Sequence, residues 1–214
     1  MRRERTRARS ELYAALGQGF SRPEPAPAGS ASLPEVLRRA AHIYDADALE
    51  ALGEQLIGSL ELSDASEDGA LRALQTEYNR LFFGPGRPQV PPYESCHCDR
   101  RGLVMGPSAR DVERQYAEAG LGLAPDHRDL PDHVATELGF MAYLTREEAR
   151  AEDRDRRLWV QRERRFLREH LSRWLPTFCR RVRKASQHGF YVALAELTET
   201  FVTLDTAWCQ DRRE

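Results

Sequence analysis

A chain of 214 residues can bury one sizeable core, or at most two small ones. Its 41% hydrophobic and 31% charged residues are the profile of a soluble globular protein. A net charge of −2 argues against a general nucleic-acid binder, and no apolar run approaches the roughly 18 residues of a membrane span.

The first ten residues, Met1 to Ser10, are arginine-rich, and Arg2-Arg3 has the look of a twin-arginine export signal. Yet Glu11 to Phe20 is amphipathic, with no apolar h-region and no small-residue cleavage site. The stretch reads as a solvated basic start to a first helix bearing Leu12, Leu16 and Phe20, and it points to a cytoplasmic protein. A Pro- and Ala-rich link follows, from Ser21 to Ser32. Leu37, Ala41 and Tyr44 make the next helical stripe. Leu49, Leu52, Leu56 and Leu60 continue it after a break at Asp45-Ala46-Asp47, and Leu71, Leu74, Tyr78 and Leu81 make another.

After Phe83 the pattern stops, and about two dozen residues run without periodicity to Gly106. Loops longer than roughly 12–15 residues are usually functional or disordered. This one carries Val90, Tyr93, Leu103, Val104 and Met105, which a disordered linker would mostly lack. It therefore reads as an ordered loop packed on the body, and as a binding surface. Beyond it, Ser108 with Asp111 suggests an N-cap for a helix bearing Val112 and Tyr116, ending at Gly120. Pro131 suits the first turn of a helix carrying Val134, Leu138, Met141 and Leu144. From Thr145 to Arg173 both charge signs interleave above a stripe of Trp159, Phe166, His170 and Trp174, the mark of a solvated helix face. Pro176 is expected to end or kink that helix. Phe190, Leu194, Leu197, Phe201, Leu204 and Trp208 then step by three and four through a last one. No segment has a period of two, so the fold reads as all-α, about eight or nine helices in a single domain.

Little here favours covalent or metal chemistry. Cys96 and Cys98 flank His97, but a zinc site wants two separated ligand pairs, and Cys179 and Cys209 lie far away on helical patterns. Ser95 lacks the turn of a nucleophile elbow, and Gly84-Pro85-Gly86 lacks the ending of a phosphate cradle. Asp132-His133 falls at a predicted helix start, where it could cap the helix or meet a ligand. Its near copy, Pro125-Asp126-His127, reads as a turn. His42, His170 and His188 stand alone. No catalytic group, metal or cofactor is assigned. The remaining pattern suits peptide binding. Tyr78, Leu81 and Phe82 end an aromatic helix, and Pro92, Tyr93 and Glu94 follow on the loop. An aromatic, proline-lined groove with a carboxylate fits an apolar peptide carrying positive charge. For Leu81 a place in the core is the simpler reading, for Tyr78 and Tyr93 less so.

These elements resemble the TorD/DmsD/NarJ family of chaperones that mature molybdenum oxidoreductases. The likeness rests on Tyr78 with Leu81-Phe82, on Pro92-Tyr93-Glu94-Ser95, on Gly106-Pro107-Ser108, and on Asp132-His133 before Glu137-Leu138 and Phe140-Met141. Two features depart from it. Asp129 and Leu130 stand where the family has glutamate and proline, and Tyr78 takes a position where several relatives have tryptophan. The resemblance implies a non-enzymatic cytoplasmic chaperone, monomer or homodimer. Its partner would be a molybdoenzyme catalytic subunit in its apo form, held by the N-terminal leader until the molybdopterin guanine dinucleotide cofactor is inserted. By that resemblance Tyr78, Leu81, Phe82, Pro92, Tyr93, Glu94, Asp132 and His133 would line the leader site, with Glu94 and Asp132 meeting an arginine. Two alternatives stay open: an assembly factor for a membrane-bound nitrate reductase, and a metal-dependent hydrolase using His133, Asp132 and His97.

Overall fold

A computed structural model of the chain describes residues 2–24, 36, 39, 42, 44, 47–61, 67–84, 88–99, 102–122 and 129–211. Among these residues the fold is all-α, with eight long helices, one single-turn helix and no strand. Helix α1 spans Arg2–Gly19 and α2 Asp47–Glu61. Helix α3, Glu67–Tyr78, runs on through a π turn, Asn79–Phe83. The single turn α4 is Ser95–Cys98, and α5 spans Pro107–Glu118. Helices α6, Val134–Arg150, and α7, Asp153–Phe166, follow. A second π turn, Leu167–Leu171, joins α7 to α8, Ser172–Ala185, and α9 is Gly189–Asp211. The part of the predicted link beyond Glu24, the residues Leu37 and Ala41, and Pro125-Asp126-His127 lie outside the described residues.

The buried side chains form one core cluster, from Leu12 on α1 to Cys209 on α9. Leu12, Leu16 and Phe20 are buried as their spacing predicts, and so are Leu194, Leu197 and Phe201. Phe190, Leu204 and Trp208 complete the last stripe at the core's edge. Helix α1 lies along α6, and α9 packs on α8 and α2. The first of these contacts needs a residue without a side chain. A Cβ at Gly17 would stand 3.1 Å from the Ala135 carbonyl oxygen.

Two expectations are corrected. Pro176 does not end its helix but sits inside α8. A proline in a helix interior costs roughly 3 kcal/mol. Trp174, Leu175, Phe178, Cys179 and Val182 of the same helix are buried, and burying each large apolar side chain contributes about 1.5–3 kcal/mol. Packing wins. The basic start of α1 is not wholly solvated either, because Arg9 is completely buried. Its guanidinium donates to Asp205 at 2.6 Å, Glu163 at 2.7 Å and Glu148 at 3.3 Å, and it lies 4.6 Å from the centre of the Trp208 ring. Tyr13 and Tyr44 also donate to Asp205. One cation thus ties α1 to α6, α7 and α9. Burial pushes the Glu163 carboxyl up to about 8 against the pull of Arg9, with Glu148 and Asp205 adding to the rise.

Candidate functional site

The long loop is ordered because it is tied to two helices. The Val90 amide donates to the Leu81 carbonyl at 2.9 Å, and the Val90 side chain is buried. Further on, Tyr93 and His133 form an isolated antiparallel bridge. There the Glu94 amide donates to the Asp132 carbonyl and the Val134 amide to the Pro92 carbonyl, each at 2.9 Å. The rings of Tyr93 and His133 meet edge to face at 5.4 Å. Leu103, Val104 and Met105 do not join the body as expected; they are 61%, 50% and 43% exposed.

Asp132 and His133 sit just ahead of α6 rather than in its first turn. His133 is the cap: its Nδ1 accepts from the Ala135 amide at 3.1 Å. The Asp132 carboxylate reaches across to another element and accepts from the Ser95 amide at 2.9 Å, opening α4. Ser108 likewise is not a cap, since α5 begins at Pro107 with Gly106 in the cap position. Its hydroxyl and amide donate instead to the Asp99 carboxylate, at 3.0 and 3.4 Å. At α4 and α5 a side chain from a neighbouring segment satisfies amide groups that a helix start leaves without partners.

Beneath the bridge lies a buried polar cluster. The Glu94 carboxylate lies within hydrogen-bond distance of His170 Nδ1, at 2.7 Å, and His170 Nε2 stands 3.0 Å from the Asp111 carboxylate. Glu137 accepts from the Trp174 indole at 3.0 Å. Burial, then the charges of Glu94 and Asp132, raise Glu137 well above the usual carboxylate range. Burial would raise Asp111 as well, but hydrogen bonds from Arg114 and Gln115 overcome it and hold that carboxyl at about 2. Burial lowers the His97 pKa, and its Nε2 is bonded to the Pro91 carbonyl at 2.8 Å. His97 and His133 thus spend ring nitrogens on backbone groups. Burial and the Glu94 charge push the Cys98 thiol up to about 11, away from nucleophilic use.

The predicted site residues are brought together, but most of them inside the protein. Tyr78, Leu81, Phe82, Pro92, Glu94, Asp132 and His133 are all buried. Leu81 and Phe82 are core, with the Phe82 ring 6.1 Å from Phe178 and 5.1 Å from Tyr78. Glu94 and Asp132 are each 0% exposed, so neither can meet a peptide arginine at the surface. Tyr93 alone of the eight is half-buried. Burial, followed by the charge of Asp129, raises the pKa of both Tyr78 and Tyr93, and the Tyr93 hydroxyl in turn bears on Tyr78. Tyr78, Tyr93 and half-buried Asp129 therefore share one neighbourhood. Phe83, 50% exposed, lies 5.9 Å from the Tyr78 ring and extends the patch to solvent. Sequence reasoning passed over Phe83. Its signal was its place one residue after a buried aromatic at a helix end, a register that the π turn alters.

The family model for the nitrate reductase delta subunit matches residues 44–180. The chain is 27% identical over 158 residues to the chaperone protein TorD of Vibrio atlanticus, covering 72% of each. It is 28% identical over 143 residues to the chaperone protein TorD of Photobacterium profundum, covering 66% of each. A crystal structure from Archaeoglobus fulgidus, proposed to be of a redox enzyme maturation protein, shares the fold with a TM-score of 0.51 at 21% identity, covering 91% of this chain and 93% of that one. The family match spans more than half of the chain: it belongs to the TorD/DmsD/NarJ family of molybdoenzyme maturation chaperones.

Proposed function

We propose that the protein is a cytoplasmic chaperone that binds the N-terminal leader and apo form of a molybdoenzyme catalytic subunit, assisting cofactor insertion and delaying export. Supporting the leader reading is the patch of Phe83, Tyr93 and the edge of Tyr78 beside Asp129. Aromatic faces suit the apolar stretch of a leader, and a half-buried carboxylate suits an arginine next to it. Glu94, Asp132 and His133 serve this site from beneath by fixing the Tyr93 segment. The relatives named TorD favour a chaperone over an enzyme.

Titration of a synthetic twin-arginine leader peptide into the wild type, Tyr93→Ala and Asp129→Asn tests the reading. Losing a binding hot spot costs about 2 kcal/mol or more, so Tyr93→Ala should weaken binding by roughly thirtyfold. Asp129→Asn should cost less, and its effect should shrink with added salt. Equal affinity across all three proteins would remove the patch from the account. The family description supports a second reading, a nitrate reductase client, which we take to be one that is not exported. That client's N-terminus, without a twin-arginine pair, would then bind more tightly than the leader.

A further inference from the structure

Helix α8 carries five cations and no carboxylate, in a chain whose net charge is −2. Arg183 pairs with Glu199. The other four, Arg173, Arg180, Arg181 and Lys184, are exposed and form no ion pair among the described residues. Arg173 donates to the Glu169 carbonyl at 3.3 Å, Arg180 to the Thr177 hydroxyl at 3.3 Å, and Arg181 lies 3.4 Å from His97 Nδ1. Together with Thr177 they step by three and four along one face, a stripe about 17 Å long at 1.5 Å per residue. Exposed arginines on other helices are neutralised locally: Arg114 by Glu118, Arg154 by Asp155 and Arg168 by Glu169.

The tip of the long loop stands beside this stripe. Helix α4, at the base of the loop, lies on α8, with the His97 ring 5.4 Å from Trp174 and 5.8 Å from Phe178. Arg173 borders the same cavity as Asp99, Pro107 and Ser108. From that base Leu103, Val104 and Met105 stand consecutively in solvent. They are held there from both sides. Gly102, at φ +55°, donates its amide to the Asp99 carbonyl at 3.0 Å, and Ser108 donates to the Asp99 carboxylate. Met105 itself adopts φ +59°, a left-handed conformation rare for a residue with a side chain. A fixed turn that keeps three aliphatic side chains out of the core does nothing for folding. In sequence the turn follows directly on Arg100-Arg101.

We propose that the α8 stripe and the Leu103–Met105 tip form one peripheral membrane-binding surface, its cations on anionic phospholipid headgroups and its tip in the boundary between headgroups and acyl chains. The chemistry of the two parts selects this partner. An acidic protein segment would neutralise the stripe and leave the tip in water. A nucleic acid would want stacking aromatics or polar base-readers beside the cations, and three aliphatic side chains offer neither. A bilayer containing anionic lipid supplies a charged plane for the stripe and an apolar layer a few ångströms beneath it for the tip. Neither part is strong enough alone, since basic clusters and short apolar anchors each bind membranes reversibly and act in combination. This surface is independent of the leader-binding reading and of where the leader sits.

Vesicle cosedimentation of the full-length protein tests this, with vesicles of phosphatidylcholine alone and of an equal mixture with phosphatidylglycerol. The wild type should bind the mixed vesicles, less so as salt rises, and should not bind the neutral ones. R180Q/K184Q should weaken binding about thirtyfold, at the usual contribution of a basic residue near an anionic surface. L103S/M105S should weaken it about tenfold and leave a remainder more sensitive to salt. R150Q/R154Q removes the same charge from arginines that Glu147 and Asp155 already neutralise, and should bind as the wild type does. All six substituted side chains are exposed, and circular dichroism verifies each fold. No binding to mixed vesicles, equal binding to neutral ones, or unchanged binding in L103S/M105S would overturn the proposal. So would an equal loss in R150Q/R154Q and R180Q/K184Q, which would reduce the effect to net charge. Tighter binding to a single-stranded oligonucleotide than to mixed vesicles, or a wild-type dimer that R180Q/K184Q dissociates, would give the stripe to another partner and overturn it too.

Discussion

Asp132 shows how a residue can be found correctly in sequence and given the wrong task. A carboxylate at a helix start reads as a cap or a ligand for cations, because those are the partners that local sequence can suggest. Its actual partner is the amide of Ser95, 37 positions earlier. Asp132→Ala should therefore act on stability. Losing a cap and leaving a buried amide unsatisfied costs about 1–3 kcal/mol, which urea unfolding would register. Any loss of leader affinity in the folded fraction, from a less firmly held Tyr93 segment, should be independent of salt concentration, because the buried carboxylate meets no peptide charge. Tyr78 calls for a similar revision. It is 2% exposed and packs against Phe82 and Tyr191, so Tyr78→Ala should cost about 3–5 kcal/mol of stability, as for other buried aromatics. A variant that kept its full stability would place Tyr78 outside the core. Glu94 and His170 were legible as separate residues, one on a loop and one on a helical stripe. Their contact at 2.7 Å joins positions 76 apart and carries no local signal.

At the scale of elements, apolar spacing found most helices, since one buried face repeats every three to four residues. Helix starts were less legible, because here the caps come from other segments: Asp132 for α4, Asp99 for α5. The π turns left no period of their own, and the one at Asn79–Phe83 puts Phe82 inward and Phe83 outward. Arg9 was missed for the same reason as Asp132. Its carboxylate partners lie 139, 154 and 196 positions away. Arg9→Met should strand three buried carboxylates. Removing one partner of a buried ion pair typically costs about 3–5 kcal/mol, and the loss should appear in urea unfolding at neutral pH. A loss below about 1 kcal/mol, the usual range of an exposed pair, would mean that the network is hydrated.

For the molecule as a whole, three carboxyls make stability depend on pH in two opposite senses. Glu163 titrates at about 8 when folded and near its ordinary 4.5 when unfolded. The native state thus binds the extra proton between those values, and stability from this group falls as pH rises from 4.5 to 8. Asp111 and Glu77 behave oppositely. Burial opposes ionisation in each, but Arg114 and Gln115 for the first, and Arg80 and Gln187 for the second, bring them to about 2. Their contribution is complete above the ordinary carboxylate range and is lost as pH falls from about 4 to 2. Urea midpoints measured from pH 3 to 9 should pass through a maximum on the acidic side of neutrality, and Glu163→Gln should flatten the alkaline limb. A midpoint still rising at pH 8 would contradict this balance.

The central claim is that a client leader docks on the surface over the Tyr93–His133 bridge, while the residues beneath hold that surface in place. Amide hydrogen exchange of the full chain, with and without a saturating twin-arginine leader peptide, tests it most directly. Added protection should appear around residues 79–84, 92–95 and 129–134, with the cavity that Leu175 and Pro176 of α8 line together with Val202 and Thr203 of α9 unchanged. Protection confined to α8 and α9, with none around Tyr93, would contradict the account.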